Sequence, residues 1–165
     1  MKRLLMVVLV LLGLESYGQT LYNAQLDLLY KNTVPQIKAK ELHNWQKQNK
    51  KVYLLDTRTD AEYQVSHLAG AHFVNYDLFK PDKIKNIPRQ AIVVIYCAVG
   101  VRSERVGEQL LKAGYKNVFN LYGGIFAWKN AGYTVYNNQK QSTDSVHTYN
   151  RLWSVWLRNG IKVFE

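Results

Sequence analysis

The sequence is poor in the residues that staple or break a fold. Its 165 residues include one cysteine and three prolines. A single cysteine cannot close an internal disulfide, so stability has to come from a packed core. A structural zinc site is excluded on the same ground: four histidines, His43, His67, His72 and His147, stand apart from one another, with no cysteine or carboxylate spacing to complete a ligand set. Long hydrophobic runs are missing as well. The most apolar stretch, residues 4 to 14 at its widest, is shorter than the ~20 residues that span a bilayer. Acidic residues are scarce, 12 against 22 basic ones, which gives a net charge of +10. The basic residues are scattered, bunched only in KPDKIKNIPR, and no nucleic-acid motif accompanies them, so the excess reads as a solvated surface rather than a nucleic-acid footprint.

The first apolar stretch is preceded by Lys2 and Arg3 and followed by Ser16-Tyr17-Gly18. A charged start, a short greasy middle and small residues about a cut are the layout of a secretory signal peptide. Residues 1–18 are therefore expected to direct export, periplasmic or secreted, and to leave a mature protein that does not span the membrane. No cysteine lies near the cut, which argues against a lipid anchor.

Hydrophobic residues at 47% and charged residues at 21% describe an ordinary globular chain. The length remaining beyond the leader suits one domain, expected as a monomer. Residues 19–32 read as a helical extension. Over residues 33–136 strand and helix patterns alternate: TVPQI, with Pro35 marking a sheet edge; KAKELHNWQKQN as a helix; VYLLD as a buried parallel strand; a short helix capped by Thr59 or Asp60; AHFVN; AIVVIY as the central strand; VRSERVGEQLLKAGY as an amphipathic helix burying Val106, Leu110 and Leu111; NVFNLYG as a strand; and GIFAWKNAG as a helix. That alternation predicts an α/β domain on a mainly parallel sheet with helices on both faces. Residues 137–165 read as a polar linker and an aromatic tail, with Trp153, Trp156 and Leu157 at helical spacing, packed on the domain as an extra element.

The one cysteine sits where a parallel sheet gathers ligands. Cys97 ends AIVVIY, and the next helix begins near Val101. Gly100 permits the sharp turn between them. The first amides of that helix lack internal partners and, with the helix dipole, favour negative charge in the loop, hence a thiolate. Arg102 adds a fixed cation. A lone cysteine at a strand end is also a common inert core residue, and position alone leaves both readings standing.

CAVGVRS resembles the active-site loop of the rhodanese-type sulfurtransferases, with cysteine, glycine three positions on and arginine five positions on. LLDTRTDAEYQVSHLAGAHFVNY resembles the family's upstream block through Asp56, Arg58, Glu62, Tyr63, His67, Gly70, Ala71 and Asn75. LYGGIFAWKNAGY resembles the downstream block through Gly123, Gly124 and Trp128. The resemblance implies a rhodanese-like fold and a cysteine that takes up sulfane sulfur as a persulfide and passes it to a thiol or other nucleophile, with no cofactor and no metal. Cys97 would be the carrier; the amides from Ala98 through Val99, Gly100, Val101 and Arg102 to Ser103 would hold the persulfide charge, and the Ser103 hydroxyl would accept or donate one further hydrogen bond near the helix start. Asp56 and Arg58 would support the loop, Arg58 and Glu62 being spaced for an ion pair across one helix turn, and His67 would act as a hydrogen-bonding brace.

The chain departs from the family in one telling respect. Many thiosulfate-active members carry basic residues inside the loop, whereas Ala98, Val99 and Val101 are apolar here, so a glutathione or protein persulfide is as acceptable a donor as thiosulfate. Phosphatases on this fold place five residues between cysteine and arginine; four separate Cys97 from Arg102, the loop size that suits sulfur. The alternative from another class is a binding module with weak or no catalysis, docking a partner through the aromatic tail.

Overall fold

In a computed structural model, residues 20–164 are described; the leader assigned to residues 1–18 lies outside them. The chain divides into two compact units, the first ending at Tyr30 and the second running Lys31–Glu165. The described part of the first is a helix, α1, over residues 20–29.

The second unit is built on a five-stranded parallel sheet with spatial order β1-β5-β4-β2-β3. Its strands are β1 (Gln36–Ile37), β2 (Val52–Asp56), β3 (His72–Phe73), β4 (Ile92–Tyr96) and β5 (Asn117–Leu121). The two edge strands are two residues long. Pro35, which has no N–H to donate, precedes one of them, and its carbonyl accepts from Asn120 N at 2.8 Å. The most apolar run, IVVIY, takes the centre with both faces covered, as continuous hydrophobicity demands.

Alternation along β4 and β5 sorts the core into two layers. Val93, Ile95 and Val118 face α4 (Val101–Lys112), packing with Val106 and Leu110. Leu111, expected beside them, is only partly buried and packs at the margin. On the opposite face Phe119 meets Trp45 of α2 (Ala39–Lys47) edge-on, with ring centroids 5.5 Å apart, and α2 in turn contacts α5 (Gly124–Asn130). Helices therefore cover both faces. The short helix α3 (Asp60–Val65) opens with a capping box: Glu62 N donates to Thr59 Oγ1, and Thr59 N donates back to the Glu62 carboxylate.

Beyond α5 the chain is more regular than a polar linker. β6 (Val135–Tyr136) and β7 (Ser142–Thr143) form an antiparallel hairpin, and β8 (Ser145–His147) pairs in parallel with β9 (Ile161–Val163) around a four-residue helix, α6 (Arg151–Ser154). The asparagine-rich turn that looked like a linker closes the hairpin instead: Asn137 Oδ1 accepts from the amides of Gln139 and Gln141. In the tail, Leu157 and Val146 are fully buried, while Trp153 and Trp156 are half-buried. Asn130, at the end of α5, fastens the tail by donating to Trp156 O and accepting from Arg158 N and Asn159 N. No helix among the described residues is long and apolar enough to cross a membrane.

Candidate active site

Cys97 follows β4 directly, and the turn to α4 is made by Ala98, Val99 and Gly100, all buried. Gly100 has φ of 99°, a left-handed conformation that a side chain strongly disfavours, and it aims its N–H back at Cys97 Sγ, 3.1 Å away. Cys97 O accepts from Ile125 N at 2.9 Å and Ala98 O from Phe126 N at 3.2 Å, so the loop's carbonyls are spent on the first turn of α5. Because a trans peptide opposes its C=O and N–H, this turns the amides of Ala98 and Val99 the other way. Gly124 allows so close an approach: a Cβ there would fall inside contact distance of both carbonyls.

The loop is held from the sheet side by a residue the sequence did not single out. Asn120, on the α4-facing side of β5, donates to Gly100 O at 2.9 Å and accepts from Ser103 Oγ at 2.7 Å. Ser103, expected to make one further hydrogen bond near the helix start, makes it to Asn120. The one available signal was a polar residue interrupting the inward register of NVFNL.

Arg102 lies within electrostatic reach of Cys97. Its Nη1 and Nη2 bind Glu62 Oε2 and Oε1 at 2.8 and 2.7 Å, a fork-to-fork pair. The ion pair expected between Arg58 and Glu62 is replaced: α3 turns Glu62 toward Arg102, and Arg58 folds back on Asp56. Burial opposes the charge on Arg102, but the Glu62 carboxylate and Cys97 outweigh it and raise its pKa. Burial likewise pushes Glu62 up, and Arg102 outweighs it, leaving the carboxyl below its ordinary value.

Asp56 and Arg58 are completely buried and joined by Nη2–Oδ2 at 2.7 Å, with Arg58 Nε and its own amide also donating to the carboxylate. Arg58 Nη2 donates further to Ser66 O. Tyr96, at the end of the central strand, puts its hydroxyl under Leu68 N, and burial raises its pKa well above the usual phenol value. These groups fasten the segment after β2 to the end of β4, and none of them bonds Cys97. His67 is a brace, as expected: its Nδ1 meets Tyr63 O at 3.0 Å, its ring stacks on Tyr63, and its backbone pairs with Tyr136. No group of metal-ligating side chains forms among the described residues.

Residues 38–131, which include this strand-to-helix loop, match a family model, the rhodanese-like domain. The chain belongs to the rhodanese-like domain family. Among curated relatives, it is 40% identical over 81 residues to a sulfurtransferase from Allochromatium vinosum, covering 49% of this chain and 75% of that protein. It is 32% identical over 93 residues to a probable adenylyltransferase/sulfurtransferase MoeZ from Mycobacterium tuberculosis, covering 56% of this chain and 24% of the relative, so the chain spans about a quarter of that protein. A crystal structure of a rhodanese-like domain protein from Staphylococcus aureus superposes with a TM-score of 0.53 at 34% identity, covering 57% of this chain and 90% of that one. A rhodanese-related protein from Thermoplasma volcanium gives 0.54 at 28% identity, with 61% and 96% covered. The family-model match ends at residue 131, just after α5, and the β6–β9 tail lies beyond it.

Proposed function

We propose that the protein is a sulfurtransferase that carries sulfane sulfur as a persulfide on Cys97 and delivers it to a thiol or other nucleophile. The observation that carries the reading is the Gly100 N–H on Cys97 Sγ at the head of α4, in a loop pinned by Asn120 and α5. An amide donor and a helix N-terminus stabilise negative sulfur and require no rearrangement to do so.

The chemistry balances without cofactor or metal. The Cys97 thiolate attacks the sulfane sulfur of the donor; the new S–S bond forms as the donor's bond breaks, and its electron pair leaves as sulfite from thiosulfate or as a thiolate from an organic persulfide. In the second half the acceptor's nucleophile attacks the outer sulfur and Cys97 departs as thiolate. The outer sulfur carries the charge between the two steps, and the loop amides from Ala98 to Ser103 and the Arg102 guanidinium are the groups proposed to hold it. Asp56 and Arg58 support the loop at a distance. With no second cysteine in the chain, the persulfide meets no internal thiol that would resolve it to a disulfide.

Intact mass spectrometry after exposure to thiosulfate, and separately to glutathione persulfide, tests the reading. A gain of one sulfur atom, removed by cyanide and absent from Cys97→Ser, is the expected result. Failure of both donors to load folded protein removes the mechanism and leaves a docking module as the better description. We also propose that residues 1–18 are cleaved during export to the periplasm or beyond, on the strength of the Lys2-Arg3 start, the short apolar run and the small residues at 16 and 18. Recovery of the protein from the exported fraction with an N-terminus near Gln19 is the expected outcome, and a cytoplasmic protein that still carries Met1 would refute it.

A further inference from the structure

Arg102 is more fully engaged than a free anion-binding arginine. Glu62 takes both of its terminal nitrogens, and Tyr149 stands over the guanidinium with its ring centroid 5.5 Å from Cζ. Arg102 retains 24% exposure at its side chain, whereas Cys97 beside it has 1%. Arg102 is thus a solvent-reaching neighbour of the buried Cys97, and Tyr149 flanks it.

Tyr149 comes from the tail, outside the residues that match the family model. Its placement is enforced. Its φ of 65° is a left-handed conformation costly for an aromatic residue, and the turn that carries it is hydrogen-bonded on both sides in sequence. The Tyr149 amide donates to His147 Nδ1 at 3.1 Å, Thr148 N donates to Val163 O, and Asn150 N donates to Thr148 O. Asn150 Oδ1 then caps α6 through Trp153 N. β8 packs against α3, the helix that carries Glu62, and Lys129 holds Asp144 at 2.6 Å just ahead of it. A turn braced in this way for a side chain that remains 54% exposed is not serving the core.

We infer that Tyr149 is a specificity-determining residue at the entrance to Cys97. With Glu62 balancing the Arg102 charge and an aromatic ring covering one face of it, the entrance presents little net positive potential and an apolar flank. A compact dianion such as thiosulfate gains little there, while an organic persulfide, singly charged at sulfur, can lay its carbon part along the ring. The choice of donors rests on the sulfur-carrier reading proposed for Cys97; the anion filter at Cys97 does not.

Two readouts separate them. The first is alkylation of Cys97 by neutral iodoacetamide and anionic iodoacetate, followed by intact mass in the full chain, wild type against Tyr149→Ala and Tyr149→Phe. Removing the ring is expected to raise the iodoacetate-to-iodoacetamide rate ratio about threefold, the scale of one cation–π contact, with Tyr149→Phe close to wild type. The second is the ratio of kcat/KM for thiosulfate over glutathione persulfide, expected to rise about threefold or more in Tyr149→Ala, mainly through KM. Equal acceleration by both alkylating reagents marks a loosened tail and overturns the inference, as does a Tyr149→Phe protein that behaves like Tyr149→Ala. If neither donor loads the wild type, the sulfur-carrier reading fails on that result alone, and the alkylation ratio still decides whether Tyr149 filters anions.

Discussion

Asp56 and Arg58 show how a charge is kept in a core that contains no water-facing atom of either residue. Their pairing leaves no net charge, and the Arg58 amide and Ser66 O take up further hydrogen-bonding capacity. Such a pair adds little over a well-packed apolar substitute, but removing one member strands the other. Asp56→Ala is therefore expected to destabilise the fold by about 3–5 kcal/mol, measured by chemical denaturation. A double variant, Asp56→Ala with Arg58→Met, is expected to recover part of that loss, because the cost lies in the unpaired guanidinium. A double variant as unstable as the single would show that the pair contributes through direct attraction. Both residues were legible in the sequence, Asp56 at the end of VYLLD and Arg58 two residues beyond it. Their pairing was not, because the i,i+4 spacing of Arg58 and Glu62 fitted an ion pair equally well and only the orientation of α3 decides between them.

Among the elements, the strand–loop–helix run β4–Cys97–α4 was readable in full, because a continuous apolar strand, a glycine and an amphipathic helix each carry a local signature. The anchors of that loop were less readable. Asn120 reaches Gly100 from 20 residues away and the α5 amides reach the loop from farther still, and nothing local marks them as its partners. The α5 contact can be tested with two glycines that share a left-handed backbone and differ in surroundings. Gly114, φ 91°, has open space where a Cβ would lie, whereas at Gly124, φ 55°, a Cβ would meet the carbonyls of Cys97 and Ala98. Gly114→Ala is expected to cost about 1–2 kcal/mol, the conformational penalty alone. Gly124→Ala adds overpacking, about 1–3 kcal/mol more, and is also expected to slow sulfur loading of Cys97 by shifting the loop. Equal costs in the two variants, with loading unchanged, would mean that α5 does not position the loop.

At the scale of the molecule, the second unit is held by its core, the buried Asp56–Arg58 pair, the partly exposed Glu62–Arg102 pair and a tail whose strands the polar composition concealed. A pairing of two or three residues leaves too short a pattern to read, and the four-residue α6 is below the length at which periodicity is informative. That tail packs against α3, so the Glu62–Arg102 pair lies where loop, helix and tail converge, and its ionisation is a fair probe of all three. Burial alone would raise the Glu62 carboxyl; the Arg102 hydrogen bonds and charge bring it below the ordinary value of about 4.3. A carboxyl lowered on folding contributes stability that is complete above its unfolded value and is lost as pH falls through the folded one. At pH 7 the wild type is therefore expected to exceed Glu62→Gln by about 1–3 kcal/mol, the scale of a hydrogen bond to a charged group. As pH falls below about 4, the wild-type curve should steepen and the two converge, since protonated Glu62 then resembles glutamine. Denaturation midpoints of both proteins measured from pH 7 to pH 3 decide the matter. Curves that stay parallel throughout would mean that the Glu62 charge is not what secures Arg102, and that the shape of the capping box is.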